Sequence, residues 1–326
     1  MKTVTFPLLE EKLLAFLQQY FPAEVAQRCA EVMLWAEMHG KNGQGLLKLL
    51  GKENLQSVRP EGDLEIIRKT PVSVLINAHR QPSFYAAQIA TDHAVEIGQK
   101  NGFALVGVNS FYTSTGALGF YAERLAKAGM IGLVMARSPG STAPFSTKTP
   151  LFGTNPLAFG FPTMGEPLVF DMATSAITWY ELVLAKMRGE AIPENVAIDR
   201  NGHPTTDPDA AMRGALLPFD RGHKGSGLGM MVEMLCGPLV GAGYCDFETY
   251  NKDWGFFILA FRPDLLTDLE TFRKTASDLV RIVREQPSTG GQPVRLPGDA
   301  GRAFAGKIVE KGEISVEDKV AELLGF

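Results

Sequence analysis

Three strand-length apolar runs alternate with two longer helical segments between residues 72 and 135, and that order confines this part of the chain to a layered α/β arrangement. Val72 to Ile76, Phe103 to Val108 and Ile131 to Met135 are the strand candidates. Pro82 to Gln99 sets Ala86, Ile89, Ala90, Ala94 and Ile97 on one side of a helix, and Gly119 to Ala128 forms a second. Upstream, residues 7–38 predict two helices. The first carries Leu8, Leu9, Leu13, Leu14 and Leu17 as one stripe. The second opens at Pro22 and continues through Val25, Cys29, Val32, Met33 and Ala36. Gly40, Gly43 and Gly45 then interrupt the pattern and mark a turn or a close backbone approach.

Downstream, residues 137–156 are rich in Ser, Thr, Pro and Gly and read as an irregular loop. Leu157 to Phe161 and Leu168 to Asp171 read as paired strands, and Thr174 to Met187 as a helix. A polar excursion follows over 189–214. An apolar helix spans Leu228 to Leu235, a strand Trp254 to Phe261, and a long helix Leu265 to Arg284 with its charges on one face. Gln286 to Gly301 reads as a loop. Ser315 with Asp318 forms a capping-box pattern that starts a last helix, Val316 to Leu324. There is no internal repeat and no clear interdomain linker.

Several function classes are excluded by composition. The 326 residues carry 32 basic and 36 acidic side chains, a formal charge of -4, without the basic footprint of a nucleic-acid binder. No uncharged apolar run reaches membrane-spanning length. A glutamate pair, Glu10 and Glu11, stands where a signal peptide would need an apolar run. Cys29, Cys236 and Cys245 form no CxxC pair, which fits a reducing compartment. The expected location is the cytoplasm.

Chemistry-bearing residues concentrate between Gly153 and Gly229. The G-x-G-x-x-G fingerprint between a strand and a helix is absent. Lys224-Gly225-Ser226-Gly227-Leu228-Gly229 is not a P-loop, because its lysine precedes the glycines. Amides at a helix start beside Lys224 would nevertheless suit an anion. The same glycines would equally suit tight helix packing. Gly153-Thr154-Asn155-Pro156 could complete a turn or bond a ligand, and Thr174 or Ser175 could cap a helix.

Their ordered spacing is more informative than any one of them. GTNP, DMATSA, PTTDP, GALLPF, KGSGLG and LPGD follow one another in a series that resembles the malate/L-lactate dehydrogenase family, which lacks a Rossmann domain. Ureidoglycolate dehydrogenase, 2,3-diketo-L-gulonate reductase and Δ1-piperideine-2-carboxylate reductases belong to that family. The resemblance covers nearly the whole chain. It implies an NAD- or NADP-dependent oxidoreductase of small carboxylate substrates, active as a homodimer. It also implies a mixed α/β fold with a largely antiparallel sheet flanked by helices. Residues 71–261 would form the cofactor lobe, and residues 1–70 with 262–326 a discontinuous helical second lobe. Carried over by position, the cofactor would touch Asp171, Met172, Ala173, Thr174, Ser175, Lys224, Gly225, Gly298 and Asp299, and Thr154 would lie near the substrate. Arg137, Ser138 or Lys148 are candidates near the adenosine ribose.

The resemblance breaks at the proton donor. The family motif aspartate-serine-histidine-glycine, with a following arginine, reads here as Asn42-Gly43-Gln44-Gly45 and Lys48. A second family histidine aligns with Ser114. A glutamine amide donates a hydrogen bond but transfers no proton near neutral pH. Lys48 keeps a charge for a substrate carboxylate but loses the arginine fork. His39, one helical step before Gly43, is a candidate replacement if the helix runs that far, and His79 is another. A protonated cyclic imine, such as Δ1-pyrroline-2-carboxylate, would need no separate acid. The alternatives are a 2-hydroxy acid dehydrogenase with a different donor, a dinucleotide-binding protein without turnover, and a non-redox enzyme such as a dehydratase.

Overall fold

The structure, a computed structural model, describes residues 1–50, 54–245 and 253–326. The chain runs β1 (Lys2–Thr5), α1 (Phe6–Leu17), α2 (Ala23–Met38), β2 (Glu65–Lys69), β3 (Ser73–Asn77), α3 (Ser83–Asn101), β4 (Phe103–Phe111), α4 (Gly119–Lys127) and β5 (Ile131–Arg137). It continues with β6 (Leu157–Phe161), β7 (Leu168–Met172), α5 (Trp179–Arg188), β8 (Ala197–Ile198), α6 (Pro208–Arg213), β9 (Ala215–Leu216) and α7 (His223–Cys236). It closes with β10 (Trp254–Phe261), α8 (Leu269–Arg284), α9 (Asp299–Lys311), β11 (Glu313–Val316) and α10 (Asp318–Leu324).

A seven-stranded sheet in the order β2-β3-β4-β10-β5-β6-β7 organises the molecule. Among the described residues, β3 and β4 form its one parallel pair and the other neighbours are antiparallel. Period-two alternation gives each strand two apolar faces. On β10, Phe256, Ile258 and Ala260 enter the core shared with α1 to α4, while Phe257 points to the opposite face, where Val232 and Cys236 of α7 cover it. β5 does the same, with Val134 on one side and Met135 on the other. Each large apolar side chain buried this way stabilises the fold by about 1.5–3 kcal/mol. The result is a three-layer sandwich with the sheet in the middle.

The two ends of the chain meet. β1 pairs antiparallel with β11, aligning Thr3 with Ser315. This overturns the capping-box expectation: Ser315 is held in a strand, and α10 starts after Glu317. The helix expected from Thr174 starts five residues later, at Trp179, because the backbone of Thr174 and Ala176 is committed to Thr154 and Leu217. Thr178 caps α5 in a full capping box with Glu181. α9 begins at Asp299, inside the loop expected over Gln286 to Gly301, and runs on through residues the sequence pattern left unassigned. β2, at the sheet edge, ties residues 65–69 to β3, across the expected lobe boundary at residue 70. Among the described residues, no helix is long and apolar enough to cross a membrane.

Candidate active site

α2 ends at Met38, and a left-handed Gly40 (φ 67°) turns the chain into two successive 3-10 turns, Asn42–Gln44 and Leu46–Leu49. Glu37 braces both turns. Its Oε1 accepts from the Leu46 amide at 2.7 Å and its Oε2 from Asn42 Nδ2 at 2.9 Å. A Cβ at position 45 would collide with Glu37 and with the Met33 carbonyl, so the chain can pass there only as glycine. Glu37 is 2% exposed, and burial pushes its carboxyl up to about 8.

The braced loop presents Lys48 and Gln44. Lys48 is not a surface lysine: it is 4% exposed, with Nζ 3.2 Å from the centroid of the Tyr180 ring on α5. A ring face stabilises a desolvated ammonium by about 2 kcal/mol. Tyr180 also closes over Gly43, with its Cβ 3.2 Å from where a Cβ on that glycine would stand. The Gln44 carbonyl lies 3.3 Å from the Cβ position of Gly116. Gly116 is fixed in turn by its amide, which donates to Ser114 Oγ at 3.2 Å. Gln44 and the Ser114 loop, where two family histidines are missing, are therefore neighbours in space.

His39 does not fill that gap. The α2 helix stops one residue before it, so the helical register toward Gly43 is lost. Its ring stacks on Trp35 (centroids 3.9 Å apart), its Nδ1 lies 2.7 Å from the Trp35 carbonyl, and its Cδ2 faces Gly301. Burial lowers its pKa, favouring the neutral ring. His79 is spent at the sheet edge, with Nε2 2.9 Å from Glu65 of β2.

Lys41, which the sequence reading passed over, ion-pairs with Asp171 at the end of β7. The same Asp171 Oδ2 accepts from the Gly119 amide at 3.0 Å, in the first turn of α4, where a helix favours negative charge. Asp171 thus joins the Lys41–Gln44 turn, the loop leading into α4 and the Met172–Ser175 turn.

The expected cofactor segments pack as one body. Thr154 offers its carbonyl to the Thr174 amide (2.9 Å) and to Thr174 Oγ1 (3.2 Å). Thr174 passes its own carbonyl to the Phe219 amide at 2.9 Å. Asn155, fully buried, donates to the Gly229 carbonyl at 3.0 Å and to Glu233 at 2.7 Å. The side chains of Thr174 and Ser175 are buried and bonded inward, Ser175 to the Ile177 carbonyl at 2.7 Å. They build the turn; Met172 and Ala173 are half-buried, with Met172 packed against the core on the α7 side of the sheet.

The start of α7 is partly self-capped. Asp220 Oδ1 accepts from the amides of Gly222 (2.9 Å) and Gly225 (3.1 Å), so the Gly225 amide is taken while the Lys224 side chain stays exposed. Arg137 does not read a ribose. It is fully buried, donating to the Asp253 carbonyl at 2.7 Å and to the Ser138 carbonyl at 3.0 Å, with Nε 3.2 Å from Glu233. Arginines that could meet a phosphate lie elsewhere. A cavity of about 590 Å³ between the end of α8 and the start of α9 is lined by Arg284, Arg295, Asp299 and Arg302. Asp299 holds Arg284 (2.9 Å) and Arg302 (2.7 Å), whereas Arg295 is exposed. Gly298 (φ 83°) brings this loop against the Val169 carbonyl of β7. With three cations against one carboxylate and an open volume, the donors suit a dinucleotide phosphate.

Known proteins share the sequence pattern and the fold. The malate/L-lactate dehydrogenase family profile matches residues 7–324. L-sulfolactate dehydrogenase of Methanothermobacter thermautotrophicus is 35% identical over 287 residues, covering 85% of this chain and 82% of its own. NAD(+)-dependent ureidoglycolate dehydrogenase of Escherichia coli is 33% identical over 304 residues, covering 89% and 85%. The crystal structure of Δ1-piperideine-2-carboxylate reductase from Pseudomonas syringae superposes with a TM-score of 0.86 at 30% identity, covering 99% of each chain.

Proposed function

The chain belongs to the malate/L-lactate dehydrogenase family, and from that premise we propose that it is an NAD(P)-dependent oxidoreductase acting between small 2-imino or 2-oxo acids and their reduced forms. One observation carries the reading to this chain's own residues. The Thr154–Thr174–Gly229 body and the Gln44–Lys48 loop converge through Asp171, Gly116 and Tyr180. When bound, the nicotinamide supplies the hydride.

The Met172–Ser175 turn, Lys224 and the Gly298–Asp299 loop would hold the cofactor. The arginine-lined cavity supports NADPH over NADH, because a 2′-phosphate needs cations that a ribose hydroxyl does not. Lys48 anchors the substrate carboxylate once Tyr180 swings off it. Gln44 and Thr154 hydrogen-bond the reacting end. A cyclic 2-imino acid suits this set, since an iminium carries its own proton where the family's histidine is replaced by Gln44. A cysteine pattern without CxxC spacing supports a cytoplasmic location.

A homodimer fits the surface. On α7, Met230, Met231 and Met234 are each about half exposed, and on α8 Leu279 is 62% exposed. Apolar faces of this kind on two helices are what a second copy of the chain would cover. Sedimentation should therefore give twice the 35.4 kDa chain mass.

The function is tested by assaying purified protein with NADPH and NADH against Δ1-pyrroline-2-carboxylate, Δ1-piperideine-2-carboxylate, pyruvate and oxaloacetate. Turnover of either class supports the proposal. Turnover of 2-oxo acids alone would refute its imino acid part. Binding of NADPH with no turnover at all would show a dinucleotide-binding protein instead.

A further inference from the structure

We propose that Lys41 is the proton donor of this enzyme, held by Asp171, and that it stands in for the missing histidine and makes 2-oxo acids substrates. The inference rests on the function proposed above. Lys41 belongs to the same turn as Gln44, whose amide donates to the Lys41 carbonyl at 2.7 Å. The Lys41 ammonium reaches across to Asp171, the residue that begins the Met172–Ser175 turn. It is therefore brought to the junction between the substrate loop and the cofactor turn.

Other protic groups near this junction are otherwise committed. His39 is turned onto Trp35. Glu37 lies beneath the loop with both oxygens accepting bonds. Lys48 is assigned to the substrate carboxylate, and Ser114 Oγ accepts from the Gly116 amide. The Lys41 side chain keeps 32% of its surface while Asp171 keeps 10%. Asp171 is thus the fixed partner and Lys41 the group a substrate can reach. Among the described residues, His39 at the end of α2 interacts electrostatically with Lys41 and with Glu123 and Lys127 of α4.

The step balances. Hydride addition turns the carbonyl carbon of a 2-oxo acid into an alkoxide carbon. An N–H bond of the Lys41 ammonium breaks and an O–H bond forms on that oxygen. Lys41 is left as a neutral amine beside Asp171 and regains its proton from water. In the oxidative direction the same amine accepts the hydroxyl proton.

The test compares Lys41→Arg and Lys41→Met with the wild type. Arginine keeps the ion pair with Asp171 but transfers no proton near neutral pH. Both variants should lose roughly 10²–10⁴-fold in kcat on 2-oxo acids. NADPH affinity, read by fluorescence titration, should stay within about threefold. The loss on a cyclic iminium, which brings its own proton, should be smaller. Lys41→Cys alkylated with 2-bromoethylamine restores an ammonium on a stem of the same number of atoms, with sulfur in place of the γ-methylene, and should recover turnover, with alkylated wild type as control. A Lys41→Arg protein that folds, binds NADPH and reduces 2-oxo acids at wild-type rate overturns the proposal. So does a wild type that reduces only imines, although the proposed function then stands. A wild type inactive on both classes defeats the function reading itself. Tyr180→Phe keeps the ring over Lys48, and a loss confined to that variant would move the donor to the Tyr180 hydroxyl.

Discussion

Replacing Glu37 with glutamine keeps the shape of the loop's brace and removes its charge. The amide oxygen still accepts from the Leu46 amide, and Asn42 can turn its own oxygen toward the new NH2 group. What changes is linkage to pH. Burial raises the Glu37 carboxyl from an ordinary 4.5 to about 8. In that window the folded state keeps a proton that the unfolded chain has released. Stability from this group is therefore complete below the unfolded value and is lost as pH rises toward the folded one. At about 1.4 kcal/mol per unit, the loss between roughly pH 6 and pH 9 is about 2–3 kcal/mol. For a chain of this size that is about 3–4 °C in Tm. Thermal unfolding of both proteins across this range is the assay. The wild type should fall below the Glu37→Gln variant progressively as pH rises, after subtracting the trend they share. Parallel profiles would refute the argument, because they would mean that Glu37 ionises in place without cost.

Two further outcomes follow from the site. Lys48→Met should raise KM for carboxylate substrates by about 10–100-fold, the worth of a charged hydrogen bond of roughly 1.5–3 kcal/mol, and leave NADPH binding intact; steady-state kinetics with parallel cofactor titration checks it. Arg295→Ala should weaken NADPH by about tenfold and NADH hardly at all, since it removes a cation that only the 2′-phosphate would meet; the ratio of the two Kd values is the measurement.

Much of the architecture could be read from the chain because it rests on local periodicity. The runs at Phe103, Ile131, Leu157 and Trp254 alternate between two apolar faces, and all four begin at the residue where the structure starts a strand. Failures occurred where a distant partner overrides a local signal. Ser315 sits in a capping pattern but pairs with Thr3, a partner visible only in three dimensions. The Thr174 region has helical composition, yet Thr154 and Leu217 claim its backbone first. The site divides in the same way. The cofactor segments carry their spacing in the sequence. Lys48 was legible by register, though its burial under Tyr180 was not. Lys41 had no signal, because its meaning comes from an aspartate 130 residues away.

That pair makes an asymmetric prediction about stability. Asp171 is the more enclosed partner, with 10% of its side chain exposed against 32% for Lys41. Deleting the lysine strands a carboxylate with little access to water, whose remaining partners among the described residues are the Gly119 amide and the α4 terminus. Deleting the aspartate charge releases an ammonium on a flexible stem that can swing into solvent. Lys41→Met should therefore destabilise the protein more than Asp171→Asn, by about 1–2 kcal/mol, and the double variant should be more stable than Lys41→Met alone. Urea unfolding of the three variants gives the cycle. If Asp171→Asn proves the worse single change, the carboxylate matters chiefly as the cap of α4, and Lys41 is a guest of that cap rather than its counter-ion.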